Sequence, residues 1–76
     1  MANSLADPGY RQIIDRLREA RLAAKLTQTE LAVKLGRHQS FVAKVEGYER
    51  RLDVWEFVQM AEAIGTDTAK LLKDKR

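Results

Sequence analysis

Two short helical segments on either side of Gly36 constrain the fold of this chain more than any other feature of its sequence. The spacing of apolar residues predicts one helix from Thr27 to Leu35 and another from about Gln39 to Glu46. Each would be only about two turns long, and an isolated helix of that length is not stable in water. The two segments must therefore pack against each other and against helices elsewhere in the chain.

Local signals predict where these two helices begin and end. Thr27, followed three residues later by Glu30, is the signature of a capping box, and Gly36 supplies the left-handed residue that ends the first of the pair. Gly47 directly follows the second. The inward-facing residues are predicted to be Leu31, Ala32, Leu35, Val42 and Val45. Two helices joined by a tight glycine turn form the helix-turn-helix supersecondary unit.

The remaining sequence also predicts helices, because apolar residues recur at three- and four-residue spacing. Asp7 would cap a first helix with Pro8 at its first position, and Asp67 would cap a short last helix. The first helix has its apolar stripe at Tyr10, Ile13, Ile14, Leu17, Ala20 and Ala24. The fourth, ending at Gly65, has Val54, Phe57, Val58, Ala61 and Ile64, and the fifth has Ala69, Leu71 and Leu72. The sequence therefore predicts an all-α fold of five short helices around one core.

Length and composition exclude several classes of protein. The 76 residues allow one small domain, and the absence of Cys excludes disulfides, cysteine zinc sites and thiol nucleophiles. One His without clustered carboxylates makes a metal site improbable, and no apolar run approaches the roughly 18 residues of a membrane helix. The first residues lack the basic start and apolar stretch of a secretory signal. We expect a cytoplasmic binding module that has no cofactor, no small-molecule ligand, no membrane partner and no enzymatic activity.

Charge is distributed unevenly along the chain although the net charge is only +3. Residues 1–36, 37–51, 52–69 and 70–76 carry net charges of +2, +2, −4 and +3. A basic front, an acidic block and a basic tail predict one side that faces a polyanion.

The outer face of the third helix has an unusual composition. On a helical wheel Phe41, Val42 and Val45 lie on one side, with His38 between them. The other side presents Gln39, Ser40, Ala43, Lys44 and Gly47. Small side chains allow close approach of another surface, while Gln and Lys can read adenine and guanine edges. Taken alone, this face is equally compatible with an ordinary exposed helix surface.

Two opposite charges lie on apolar stripes. Arg21 falls beside Leu17 on the first helix, and Glu46 falls beside Val45 on the third. An unpaired buried charge is costly, so we predict an Arg21–Glu46 ion pair between these helices. The alternative is that each side chain reaches solvent independently.

The chain resembles the phage-repressor/Cro-type, or XRE, family of helix-turn-helix proteins. The resemblance covers about residues 10–72 and is carried by TQTELAVKLG at residues 27–36, QSFVAKVE at 39–46, Arg21, and a closing helix at 57–65. It implies a lambda-repressor-like DNA-binding domain, with residues 1–9 as an N-terminal arm and cap and residues 73–76 as a basic tail.

The resemblance also implies roles for individual residues. Gln39, Ser40 and Lys44 would read bases in the major groove, and Arg21 with Glu46 would be the family's structural ion pair. The residues expected at the DNA backbone are Gln28, Arg37, His38, Tyr48, Arg50 and Arg51. Three departures are present: Arg37 replaces an apolar residue, His38 replaces a Ser or Thr N-cap, and Gly47 comes one residue earlier than the usual glycine.

These features predict a regulator of transcription, acting as a repressor or autoregulator, that binds double-stranded DNA as a homodimer on a two-fold site. The fourth and fifth helices are the expected dimer surface. The alternative is a protein-interaction module, such as an antitoxin-type protein that binds its partner through the same helical face. Trp55 is expected to pack at the edge of the core, with an interface role as the alternative, and Leu22 and Val33 are expected to point outward.

Overall fold

A computed structural model describes residues 4–73, which form one 3-10 turn and five α-helices and contain no strand. The turn is Ser4–Ala6, and the helices are α1 Pro8–Ala23, α2 Gln28–Leu35, α3 Gln39–Glu46, α4 Val54–Ile64 and α5 Thr68–Leu72. The all-α, five-helix prediction is confirmed for this part of the chain. The start of the expected arm, residues 1–3, and most of the expected basic tail, residues 74–76, lie outside the described residues.

The predicted capping residues begin the helices. The Asp7 carboxylate accepts the N–H of Gly9 at 2.7 Å, and Pro8 occupies the first turn of α1. At α2 the capping box is complete: Thr27 Oγ1 accepts the N–H of Glu30 at 3.0 Å, and Glu30 Oε1 accepts the N–H of Thr27 at 2.8 Å. These bonds satisfy donors that a helix start leaves unpaired.

Two glycines end helices with backbone that other residues rarely adopt. Gly36 after α2 has φ of 66°, and Gly65 after α4 has φ of 89°. Both are left-handed, as the predicted helix ends require. A second capping box, which was not predicted from the sequence, joins Asp53 and Glu56 at the start of α4.

Side chains from every α-helix fill one core. The α2–α3 contact is the most extensive between helices, and α2 also packs on α4. Arg16 holds α5 against α1, because its Nη1 donates to the Leu71 carbonyl at 2.9 Å. The buried apolar residues are Ile14, Leu17, Leu31, Ala32, Phe41, Val42, Val45, Leu52, Met60, Ala61, Ile64 and Leu71. Helix α3 is thus fixed by its whole inner face.

The predicted stripes extend too far at the helix ends. Val54 is 81% exposed and Trp55 is 64% exposed, so the expected packing of Trp55 at the core edge is wrong. Both lie in the first turn of α4. Ala24 lies after the end of α1 and is exposed, as are Ala69 and Leu72 in α5. Leu22 and Val33 point outward, as predicted.

None of the helices within residues 4–73 is long and apolar enough to cross a bilayer.

Candidate nucleic-acid interface

The outer face of α3 presents polar groups around small side chains. Gln39 and Lys44 are exposed, while Ser40 and Ala43 are half-buried. His38 is the N-cap of α3: its Nδ1 accepts the N–H of Ser40 at 3.3 Å and lies 3.0 Å from Ser40 Oγ. The imidazole therefore replaces the usual hydroxyl cap and also restrains one of the predicted base-reading side chains.

Arg21 and Glu46 form a buried, bidentate ion pair. Arg21 Nε donates to Glu46 Oε2 at 2.6 Å, and Nη2 donates to Oε1 at 2.9 Å. The remaining Nη1 donates to the Leu26 carbonyl at 2.7 Å. Both side chains are more than nine-tenths buried. The two-point geometry fixes the last turn of α3 relative to α1 and to the start of α2.

The ion pair continues into the predicted reading face through two amides. Gln28 Nε2 donates to Glu46 Oε1 at 3.0 Å, and Gln39 Nε2 donates to Gln28 Oε1 at 2.9 Å. A carboxylate only accepts, so it turns the NH₂ of Gln28 towards itself and the oxygen of Gln28 towards Gln39. This chain of bonds gives Gln39 a preferred orientation and leaves its own oxygen available as an acceptor.

Arg37 and Arg50 converge on Glu56, although one lies before α3 and the other after it. Arg50 donates to both carboxylate oxygens of Glu56, at 2.9 and 3.0 Å, and Arg37 donates to Oε2 at 3.3 Å. Both guanidinium groups lie over the Phe41 ring, 3.9 Å from its centroid for Arg37 and 4.7 Å for Arg50. The hydrogen bonds from Arg50 lower the pKa of Glu56 to about 2. We call these four residues the Glu56 cluster.

Tyr48 has the left-handed backbone expected of a glycine. Its φ is 61°, whereas Gly47 has φ of −87°, so the strained position follows Gly47. The Tyr48 hydroxyl donates to the Asp15 carboxylate, which raises the pKa of Tyr48, and Arg11 lies 4.4 Å from the ring centroid. These contacts with α1 offset the cost of a left-handed non-glycine residue.

The α3–α4 loop carries the remaining basic residue of the expected backbone set. Arg51 is exposed, and its carbonyl accepts a bond from Arg50 at 2.9 Å. Tyr10 of α1 anchors the loop, since its hydroxyl oxygen accepts the N–H of Leu52 at 3.1 Å.

Sequence reasoning missed three side chains near this face. Arg18 Nε lies 3.9 Å from Glu46 Oε1, Arg11 stacks on Tyr48, and Glu56 joins two arginines. Only Glu56 carried a readable signal, because Asp53 followed by Glu56 is a capping-box spacing. Within residues 4–73 no three His, Asp or Glu side chains form a group that could hold a metal ion.

Comparison with known proteins agrees with this geometry. A family model described as a helix-turn-helix domain matches residues 12–72. Among solved structures, an XRE-family like protein from Pseudomonas syringae pv. tomato str. DC3000 is 56% identical, with 84% of this chain and 78% of that protein aligned and a TM-score of 0.81. A search of curated proteins gave no match. The chain therefore belongs to the XRE family of helix-turn-helix DNA-binding proteins.

Proposed function

We propose that this protein is a cytoplasmic, sequence-specific regulator of transcription, a repressor or autoregulator, that inserts α3 into the major groove of double-stranded DNA. The observation that carries the proposal is the outer face of α3, where exposed Gln39 and Lys44 flank small side chains and Gln39 is oriented through Gln28. Gln and Lys have the donors and acceptors that distinguish base edges in the major groove.

The proposal gives each group of polar residues its own task. Gln39, Ser40 and Lys44 read bases. Gln28 has two tasks: it positions Gln39, and at the start of α2 its backbone N–H can meet a phosphate. The other side chains proposed to meet phosphates are Arg37, His38, Tyr48, Arg50 and Arg51. Phosphate contacts fix register and orientation, whereas base contacts carry the sequence information.

Two copies would bind together, because one α3 of eight residues spans too few base pairs for useful specificity. We propose a homodimer formed through α4 and α5. Exposed Val54 and Leu72 border an apolar groove of about 240 Å³, whose walls also include Tyr10, Ile13 and Phe57. A two-fold axis beside this groove would bury the same apolar residues of both copies.

Selection of bound sites from a random duplex pool tests the function. We expect a palindromic consensus, and binding to it that weakens steeply with salt, since each phosphate contact releases counterions. Affinity for duplex that is absent, or unchanged between low and physiological salt, contradicts the proposal. That result would favour the alternative function, a protein-interaction module that uses the same face of α3.

A further inference from the structure

We propose that Glu56 sets the charge that Arg37 and Arg50 present to the DNA backbone, and so limits the affinity of this protein for duplex of any sequence. The inference rests on the proposed function, because that function assigns both arginines to phosphates. It gives a DNA-affinity role to a carboxylate of the acidic α4.

The single carboxylate of Glu56 is hydrogen-bonded to both guanidinium groups and is less exposed to solvent than either of them. The Glu56 side chain is 11% exposed, whereas Arg37 and Arg50 are 39% and 38% exposed. An open groove of about 420 Å³ lies beside Arg50, and its lining also includes Arg51, Asp53 and Glu56. A phosphate that approaches this side of α3 therefore meets two guanidinium groups that are more exposed than the carboxylate they share.

The positions of the two arginines do not depend on Glu56 alone. Both guanidinium groups also lie over the ring of Phe41, which is buried in the inner face of α3. Cation–π contact with a fixed ring restrains each cation independently of the carboxylate. Removing the charge of Glu56 therefore changes the electrostatics of the cluster more than its geometry.

The charge arithmetic gives the direction of the effect. Two guanidinium groups and one carboxylate leave a net charge of +1 on the cluster, and a neutral side chain at position 56 raises it to +2. The attraction to phosphate grows, and one more counterion is displaced on binding. Because phosphates are present in every duplex, the gain applies to all sequences.

Glu56→Gln removes this charge. It also replaces the oxygen that accepts from Arg37 and from Arg50 Nη2 with an NH₂ group, which frees both guanidinium groups at that position. Glutamine keeps the side-chain oxygen that accepts the N–H of Asp53 at 3.1 Å, so the capping box survives. Glu62→Gln is the matched control, because it makes the same change of charge on an exposed residue in the last turns of α4. Arg37→Gln changes the cluster in the opposite direction and lies in the exposed turn before α3.

Binding is measured by fluorescence anisotropy on a selected duplex and on a shuffled duplex, at salt concentrations from roughly 50 to 200 mM. We expect Glu56→Gln to bind both duplexes about five-fold more tightly at the higher salt, and its log–log salt slope to steepen by roughly 1. Arg37→Gln should weaken binding to both and flatten the slope by roughly 1. Glu62→Gln should change affinity by less than about two-fold.

Circular dichroism confirms that each variant is folded before binding is scored. Equal effects of Glu56→Gln and Glu62→Gln overturn the inference, as does weaker binding by folded Glu56→Gln. If Glu56→Gln fails to fold, the log–log salt slope of Arg37→Gln tests the inference instead. A slope equal to that of the wild-type protein overturns it. A wild-type protein that binds no duplex contradicts the proposed function itself, whereas steep wild-type salt dependence with an unchanged Glu56→Gln contradicts only the role of Glu56.

Discussion

The charges of Arg21 and Glu46 are buried, so removing one of them should lower the stability of the protein strongly. In Arg21→Met the Glu46 carboxylate keeps only the Gln28 amide and the distant Arg18 as partners. We expect the free energy of unfolding, measured by urea denaturation, to fall by about 3–5 kcal/mol.

Two further variants separate charge from packing. Arg18→Met makes the same substitution on the same helix, but Arg18 is exposed and lies 3.9 Å from Glu46, so it should cost less than about 1 kcal/mol. The double variant Arg21→Met, Glu46→Leu should recover most of the loss, because no unpaired buried charge remains. If the double variant is as unstable as Arg21→Met alone, the loss of stability comes from altered packing and not from an unpaired buried charge.

Glu56 also makes stability depend on pH. Hydrogen bonds from Arg50 lower its pKa in the folded protein from the ordinary 4.5 to about 2, so its contribution is present above pH 4.5 and is lost as the pH falls towards 2. The unfolding free energies of wild type and Glu56→Gln should therefore converge between about pH 5 and pH 2. Urea denaturation at a series of pH values measures this, and a constant difference across the range would rule it out.

Individual residues differed in how far the sequence could predict them. The Arg21–Glu46 ion pair could be predicted from the sequence because helical periodicity places both charges on apolar stripes. The left-handed backbone at Tyr48 was not, because it is supported by Asp15, 33 residues away in sequence. Periodicity also could not show that Val54 is exposed, since burial at the start of α4 depends on how the other helices pack against it.

At the scale of the helix, α3 depends on α2 for the orientation of its first side chain. Gln28→Ala removes the acceptor of the Gln39 amide but leaves Arg21 paired with Glu46. We expect base preference at the position that Gln39 is proposed to read to relax, while the free energy of unfolding falls by about 1 kcal/mol or less. Affinities for a panel of half-sites with single base changes measure the preference. Uniform weakening across the panel would leave Gln28 with a phosphate role alone.

Lys44 projects from the same face without support from another element. Its ammonium group makes no hydrogen bond or ion pair with another residue between 4 and 73. Lys44→Ala should therefore cost about 1–3 kcal/mol on the best site and relax preference at one base pair, different from that of Gln39. The same half-site panel measures it. An equal loss on random duplex would assign Lys44 to the backbone instead.

The sequence predicted the helices better than the side-chain contacts between them. Caps and glycines are local signals, so the start and end of α2 were readable from Thr27, Glu30 and Gly36. The Glu56 cluster joins residues of the α2–α3 turn, the α3–α4 loop and α4, and no local pattern encodes that convergence. The sequence therefore predicted α3 and its polar outer face but not the electrostatic environment beside them.

At the scale of the whole molecule, the proposed dimer must bury the groove beside α4 and α5. Val54→Lys or Leu72→Lys places a charge at its edge, where burial against a second copy would cost several kcal/mol. We expect either variant to be monomeric by sedimentation equilibrium. We expect Leu72→Lys, which lies away from the Glu56 cluster, to lose affinity for a palindromic site while keeping its affinity for a half-site. Val33→Lys makes the same change on α2, outside the groove, and should leave the oligomeric state unaltered. If both groove variants remain dimeric, the dimer interface lies on another surface.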